Sequence, residues 1–241
     1  MQREFINNAA HELRTPIQPI LGITEILRFG GGLHKIGGYQ KLNESLDIIL
    51  RNARRLSELA DNVLSVSLIE SQLLKIEKEL FNLNIIIVDN IKSAKRQFLT
   101  IDSRSSGKII YDHASETEAD IYVKADKYKI SQVVYNLLNN AIKFTNEGSI
   151  TISVKRKGDK VENKKAIVVS IKDTGKGIDS EMLPRLFTRF ATKSFSGTGL
   201  GLFVSKYIVE AHGGEIWAEN NVEGKGATFS FTLPLSSNND N

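Results

Sequence analysis

Near the start of the chain, a histidine, a glutamate and a threonine are arranged in a way that suits nucleophilic chemistry. His11, Glu12 and Thr15 lie in a segment whose apolar residues are Ile6, Ala9, Leu13, Pro16, Ile20, Ile23 and Leu27. Their spacing alternates three and four, which predicts a helix packed in a bundle. On a helical projection His11 falls almost opposite that stripe, facing solvent. An exposed imidazole keeps a nitrogen lone pair for attack, which a packed one cannot do. Glu12 lies between His11 and the buried side, where its carboxylate can accept from one ring nitrogen and leave the other free. Thr15 stands one turn on, on the same exposed side. Pro16 removes an amide bond to Glu12 and is expected to bend the helix just past the histidine, and Pro19 removes another. A zinc site of the pattern H-E-x-x-H is excluded, because Thr15 stands where the second imidazole belongs.

Far downstream, a second set of residues suits an anion and a hard cation. Asn136, Asn140 and Lys143 fall at i, i+4 and i+7 of a predicted helix over 126–144, so they share a face. A carboxamide oxygen suits Mg²⁺, and Lys143 can neutralise phosphate charge. Alone, such a trio would be only the wet side of a helix. Asp173, Gly175 and Gly177 follow a predicted strand over 167–172. A carboxylate fixed at a strand end can accept from the exocyclic amine of adenine, and the glycines let the backbone approach closely. By itself that pattern is also a common turn. Gly197, Thr198, Gly199, Leu200 and Gly201 precede another helix, where glycines free backbone amides to bind phosphates. They are not a dinucleotide fingerprint, since they do not follow the first strand of a βαβ unit and no ribose-binding acid sits at the right distance.

The elements that must position these groups read as two sets. At 241 residues the chain has room for one large domain or two modest ones. Hydrophobic residues at 41% and charged residues at 25% are those of a soluble globular protein. The net charge of +4 comes without a Lys/Arg block, so no nucleic-acid partner is expected. The absence of cysteine excludes disulfides and thiolate metal sites and fits a reducing cytoplasm. No membrane span or signal-peptide core is visible, so no membrane contact by this segment is expected. After a glycine-rich break at 30–38, a second stripe runs through Leu42, Leu46, Ile49, Ala53, Leu56, Ala60 and Val63. Ile48, Leu50, Leu59, Leu64 and Leu68 widen it beyond what one partner helix could cover, which predicts that two chains pair into a four-helix bundle. From residue 83 a helix to about 104, short strands at 108–113 and 121–123, the helix over 126–144 and strands at 149–157 and 166–172 are expected. A charged turn at 161–165, a helix near 200–212 and strands near 215–218 and 227–233 complete an α+β pattern. The polar tail 236–241 reads as disordered.

The run from Phe5 to Pro16 resembles the H-box of the dimerisation and phosphotransfer domain of sensor histidine kinases. The segment 132–144, the D-x-G-x-G at 173–177, the aromatic run Phe187, Arg189 and Phe190, and the glycine motifs at 197–201 and 224–228 resemble, in order, those of the Bergerat-type (GHKL) ATPase fold. That fold is shared by histidine kinases, gyrases and heat-shock chaperones. The resemblance covers about residues 1 to 235. It implies a helical hairpin over 1–78 that forms the dimeric bundle, then an α/β sandwich over 79–235 that binds ATP and Mg²⁺. The implied activity is ATP-dependent autophosphorylation of His11, followed by transfer to an aspartate on a response regulator receiver domain.

In that family pattern Glu12 assists as general base, and Thr15 orients water in the reverse dephosphorylation. Asn140 is the Mg²⁺ ligand, Asn136 holds water behind it, and Lys143 neutralises charge. Phe144, Asp173, Gly175, Gly177, Gly197, Thr198, Gly199, Leu200, Gly201 and Thr228 line the nucleotide. Thr192 stands where many relatives carry an arginine, and Lys193 is expected to supply the missing positive charge. His212 takes a structural role at a helix end, and His34 and His113 are bystanders. The chain reads as the core of a longer cytoplasmic protein, with any membrane attachment left to a preceding region. Two rival readings are a Bergerat ATPase of another class and a degenerate kinase that docks a regulator without turning over.

Overall fold

A computed structural model describes residues 2–29, 38–101, 108–113, 120–145, 147–158, 165–192, 198–222 and 225–235. The glycine break 30–37 with His34, the turn 161–164, Lys193, Gly197, Gly224 and the tail 236–241 lie outside the described residues. Two compact units form: Met1–Leu74, joined by the segment ending at Leu200, and the remainder from Lys75 on.

The first unit is a hairpin of two long helices, α1 (Gln2–Phe29) and α2 (Gly38–Glu70). Helix α1 runs unbroken through Pro16 and Pro19. The lost amides remove single hydrogen bonds, and the turns on either side hold the helix together. Pro16 is buried and occupies the apolar stripe. On α2 the buried side differs from the expected heptad. Leu59, Asn62, Val66 and Ile69 are buried, while Leu46, Ala53 and Ala60 are exposed. Of the residues expected to widen the stripe, Leu59 is buried and Ile48 and Leu68 are half-buried, while Leu50 and Leu64 are exposed, as are Leu46 and, on α1, Ile17, Leu21 and Ile26.

The second unit is a mixed sheet with helices packed against it. Its elements are β1 (Glu79–Asn82), α3 (Leu83–Ile101), β2 (Lys108–His113), β3 (Tyr122–Ala125), α4 (Lys127–Phe144), β4 (Ser149–Gly158), β5 (Lys165–Asp173), α5 (Gly201–Ala211), β6 (Ile216–Asn220) and β7 (Ala227–Pro234). Strands β1 and β3 make a small antiparallel pair, and the main sheet runs β2-β4-β5-β7-β6. Among the described residues, only the β2–β4 pairing is parallel. The register builds cross-strand rows. Ile152, Ile171 and Phe229 align, as do Val154, Val169 and Phe231, and all six are buried. On the opposite face Ser153, Ser170 and Ser230 align, and the last two share a hydroxyl hydrogen bond of 2.8 Å. Such alternation is what a sheet covered by helices on one face requires. The strand β1 was not foreseen, because its four residues carry no period of their own.

A buried histidine fixes the start of α4. Asp126 caps that helix, its carboxylate accepting from the Lys129 amide at 3.0 Å and the Glu77 amide at 3.1 Å. The Asp126 amide in turn donates to His212 Nε2 at 2.8 Å, and His212 Nδ1 donates to the Ile208 carbonyl at 2.7 Å. Both ring nitrogens are committed to the neutral tautomer, and burial holds the imidazole pKa below its ordinary value. The folded state therefore disfavours the proton that the unfolded chain accepts. This contribution to stability is complete above the ordinary pKa of about 6.5 and is lost as pH falls from there towards the lowered folded value. Thermal melts between neutral and mildly acidic pH should show a falling Tm whose slope is reduced in His212→Gln.

Candidate functional site

His11 belongs to the first unit and Asp173 to the second, and their surroundings are built differently. On α1 the His11 side chain is exposed, as its place opposite the stripe requires, and its ring makes no hydrogen bond among the described residues. Thr15 is exposed on the next turn, its Oγ1 donating to the His11 carbonyl at 3.1 Å. Glu12 is half-buried and points across to α2, where Arg55 Nη2 approaches its Oε2 at 3.4 Å. Its carboxylate is thus on Arg55 and not on the imidazole. Arg55 was not singled out from the sequence; it is one arginine among several on α2, and only the pairing of the two helices marks it.

The second centre gathers at one end of the main sheet. Ile167, Val169, Ile171 and Asp173 alternate along β5, so the carboxylate occupies the next position on the strand's buried face. Asp173 is 3% exposed. Its Oδ1 accepts from the Gly175 amide at 2.8 Å and from the Ala227 amide at 3.3 Å. Among the described residues Oδ2 takes no hydrogen bond, so it can receive a donor such as an exocyclic amine. Burial pushes the carboxyl pKa up, and the two amides pull against that shift.

Close packing of backbone on backbone shapes the turn that follows. A Cβ at Gly175 would collide with the Phe144 carbonyl, and one at Gly226 with the Asp173 carbonyl. Gly226 also has φ +101°. Two asparagines that the sequence reading passed over lock this turn. Asn220 Oδ1 accepts from the Ile178 amide at 2.7 Å while its Nδ2 donates to the Ile178 carbonyl at 2.8 Å. Asn221 Nδ2 donates to the Asp173 carbonyl at 2.8 Å and its Oδ1 accepts from Thr228 Oγ1, also at 2.8 Å. Thr228 therefore acts on Asp173 through Asn221. The available signal was a pair of asparagines at a strand end facing a glycine turn.

The helix face over 136–143 divides. Asn136 is buried, and its Nδ2 donates to the Gly201 carbonyl at 3.2 Å and to Ser205 Oγ at 3.3 Å, tethering the first turn of α5. A Cβ at Gly201 would press on that carboxamide at 3.4 Å. Asn140 and Lys143 are half-buried, and Asn140 makes no hydrogen bond among the described residues. Lys143 Nζ lies 5.1 Å from the centroid of the Phe144 ring, and Lys176 Nζ lies 4.9 Å from the same centroid. Thr198 Oγ1 accepts from the Leu200 amide at 3.2 Å, and Gly199 has φ +65°, so 198–200 form a turn of their own before α5. Lys193 and Gly197 are outside the described residues. Phe187 and Phe190 are half-buried, Phe190 in the left-handed region at φ +57°, and Arg189 stacks 5.0 Å from the Phe203 ring.

The donors present suit an adenine nucleotide with a hard cation. An open buried carboxylate oxygen can read an amine, and an unengaged carboxamide can offer oxygen. Among the described residues no cluster of three His, Cys, Asp or Glu could hold a metal by itself. Asn140 offers a carboxamide oxygen that could hold such a cation.

The chain thus presents a hairpin bearing an exposed histidine beside a glutamate, and a mixed sheet whose end holds an open carboxylate among glycine turns. Residues 1–72 match the model of the His Kinase A (phospho-acceptor) domain, and residues 125–237 that of the histidine kinase-, DNA gyrase B- and HSP90-like ATPases. The chain is 32% identical over 243 residues to the sensor histidine kinase WalK of Bacillus subtilis. It is 34% identical over 241 residues to the sensor protein SrrB of Staphylococcus aureus. Each alignment covers 97% of this chain but only 36% and 38% of those relatives, so the chain spans little more than a third of their length. The Acinetobacter baumannii histidine kinase AdeS superposes with a TM-score of 0.67 at 26% identity, over 94% of this chain and 98% of that one. The catalytic domain of the histidine kinase ThkA gives 0.53 at 30% identity, over 66% of this chain and 95% of that one. The chain belongs to the histidine kinase family. Its second unit carries the ATPase-like domain and its first the phospho-acceptor domain. No helix among the described residues is long and apolar enough to cross a membrane.

The Asp173 turn yields a direct test. Gly226→Ala should destabilise the second unit by more than about 1 kcal/mol, because the left-handed backbone and the collision with the Asp173 carbonyl act together. Chemical denaturation of the variant, followed by binding of a fluorescent ATP analogue, should show both the lowered midpoint and weakened binding.

Proposed function

We propose that this chain is an ATP-dependent protein histidine kinase that phosphorylates His11 and passes the phosphoryl group to an aspartate of a response regulator receiver domain. The observation that carries this reading is the exposed His11 ring, free of hydrogen bonds among the described residues, on the helix of a phospho-acceptor domain. A ring nitrogen forms a bond to the γ-phosphorus as the bond to the β–γ bridging oxygen breaks and ADP departs. The proton on the other ring nitrogen goes to Glu12, which must then turn from Arg55 to the ring. Asp173 reads the adenine amine through Oδ2, Phe144 packs near the base, and Lys143 neutralises phosphate charge. Gly175, Gly177 and Thr228 keep the Asp173 turn close to the base. Asn136 positions Gly201, and the amides of Gly197, Thr198, Gly199, Leu200 and Gly201 cradle the phosphates, with Lys193 adding charge. Asn140 holds Mg²⁺, which would supply charge neutralisation at the phosphates. Thr15 orients water in the reverse dephosphorylation of the regulator. The residues divide at about 78 into a phosphotransfer hairpin and a catalytic part over 79–235.

The exposed apolar residues Leu46, Leu50, Leu64, Ile17, Leu21 and Ile26 support pairing of two hairpins into a four-helix bundle. A cytoplasmic setting fits the cysteine-free composition.

Incubation with γ-labelled ATP and Mg²⁺ tests the transfer. Label should attach to the wild-type chain, vanish in acid and persist in alkali, and be absent from His11→Gln, which still binds nucleotide. Acid-stable label, or label on His11→Gln, would exclude the assignment. Leu50→Glu should shift the chain towards monomer in analytical ultracentrifugation at micromolar concentration while leaving nucleotide binding intact.

A further inference from the structure

We infer that Lys176 is a further nucleotide-binding residue, a cation that closes over the adenine ring from its resting place on Phe144. The inference rests on the nucleotide-site reading above and adds to it a residue that the motif glycines leave unassigned. Lys176 sits between Gly175 and Gly177, in a turn held on both sides. Gly175 backs onto the Phe144 carbonyl, and past Gly177 the Ile178 amide and carbonyl are both bound by Asn220. The Lys176 backbone is therefore fixed, while its side chain is exposed and pairs with no carboxylate among the described residues. What it does touch is an aromatic face, 4.9 Å from ammonium to ring centroid.

That ring already carries a cation. Lys143, on the helix that bears Asn140, lies 5.1 Å from the same centroid. Phe144 thus lies close to two ammonium groups with different neighbours. Lys143 belongs to the carboxamide helix. Lys176 is three residues past Asp173, on the very turn whose Gly175 amide holds the carboxylate that can read an amine. Two like charges on one ring repel, and an aromatic face attracts a cation whether it belongs to phenylalanine or to a purine. A base packed near Phe144 and held at its amine by Asp173 offers Lys176 a second π face, so the ammonium can bridge ring and base without losing its partner. Contact with the base, rather than with phosphate, follows from its place beside Asp173.

The test compares ATP, ADP and adenosine by calorimetry on the full chain. Lys176→Met should weaken all three by the same factor, about two- to five-fold, the range of an exposed cation–π contact. Lys176→Arg should restore most of it. In a Phe144→Leu background the same substitution should cost nothing further, because the perch that aims the ammonium is gone. A loss confined to ATP and ADP would assign Lys176 to the phosphates and overturn the inference, as would no loss at all. Asp173→Asn provides the separate control. If it weakens adenosine while Lys176→Met does not, only the Lys176 inference fails. If neither substitution affects adenosine, the nucleotide reading itself falls.

Discussion

The second unit is organised around one costly act, the burial of the Asp173 carboxylate at the end of an apolar strand face. Period-two alternation in β5 puts it there, in line with Ile167, Val169 and Ile171. An unpaired buried charge would cost several kcal/mol, so the surrounding chain is arranged to offset it. Two backbone amides donate to Oδ1, and both come from residues beside glycines or glycines themselves, Gly175 and the Ala227 that follows Gly226. Those donors reach the carboxylate only because Gly175 and Gly226 lack side chains that would strike the Phe144 and Asp173 carbonyls. Asn221 and Thr228 then hold the Asp173 backbone from the other side. The same arrangement that makes burial tolerable leaves Oδ2 open, and a buried open acceptor discriminates strongly between ligands that donate and those that do not.

How much of this the sequence disclosed depends on the range of the interaction. Elements with a period of their own were legible. The α4 stripe through Ile130, Val133, Val134, Leu137 and Leu138 is buried, and the paired strands 149–158 and 165–173 lie within a residue or two of their expected ends. The glycines were legible as turns that must be crowded. What escaped depended on partners distant in sequence. Strand β1 exists because Phe81 pairs with Val123 across forty residues, and its own four residues signal nothing. Asn220 and Asn221 acquire meaning only opposite the 173–178 turn, Arg55 only opposite Glu12, and Lys176 only above Phe144.

Asn136 illustrates the same limit from within a recognised motif. Its spacing from Asn140 and Lys143 is that of a shared face, yet one more turn of context sends it inward to Gly201 and Ser205. The i, i+4, i+7 rule fixes which residues are neighbours and not how deep each lies. Depth is set by the helix packed alongside, here α5. A carboxamide suits either environment, because its two donors and one carbonyl can bond to backbone as readily as to water.

The hairpin solves a different problem. In the proposed reaction a nucleophile must stay reachable while the group that takes its proton stays near, and on α1 those roles would fall on adjacent residues, His11 exposed and Glu12 half-buried. Arg55 holds the Glu12 carboxylate at 3.4 Å in a pair whose side chains remain 22% and 25% exposed. A pair that wet and that long contributes no more than about 1 kcal/mol. It is enough to choose a side-chain rotamer and too little to lock one, so a small shift of α1 against α2 can move the carboxylate between arginine and imidazole. The Asp173 turn, by contrast, is fixed by close backbone contacts at Gly175 and Gly226 together with the Asn220 and Asn221 side chains. Under the proposed function, rigidity would therefore belong to the half that recognises a base, and adjustability to the half that changes its bonding partner during the reaction.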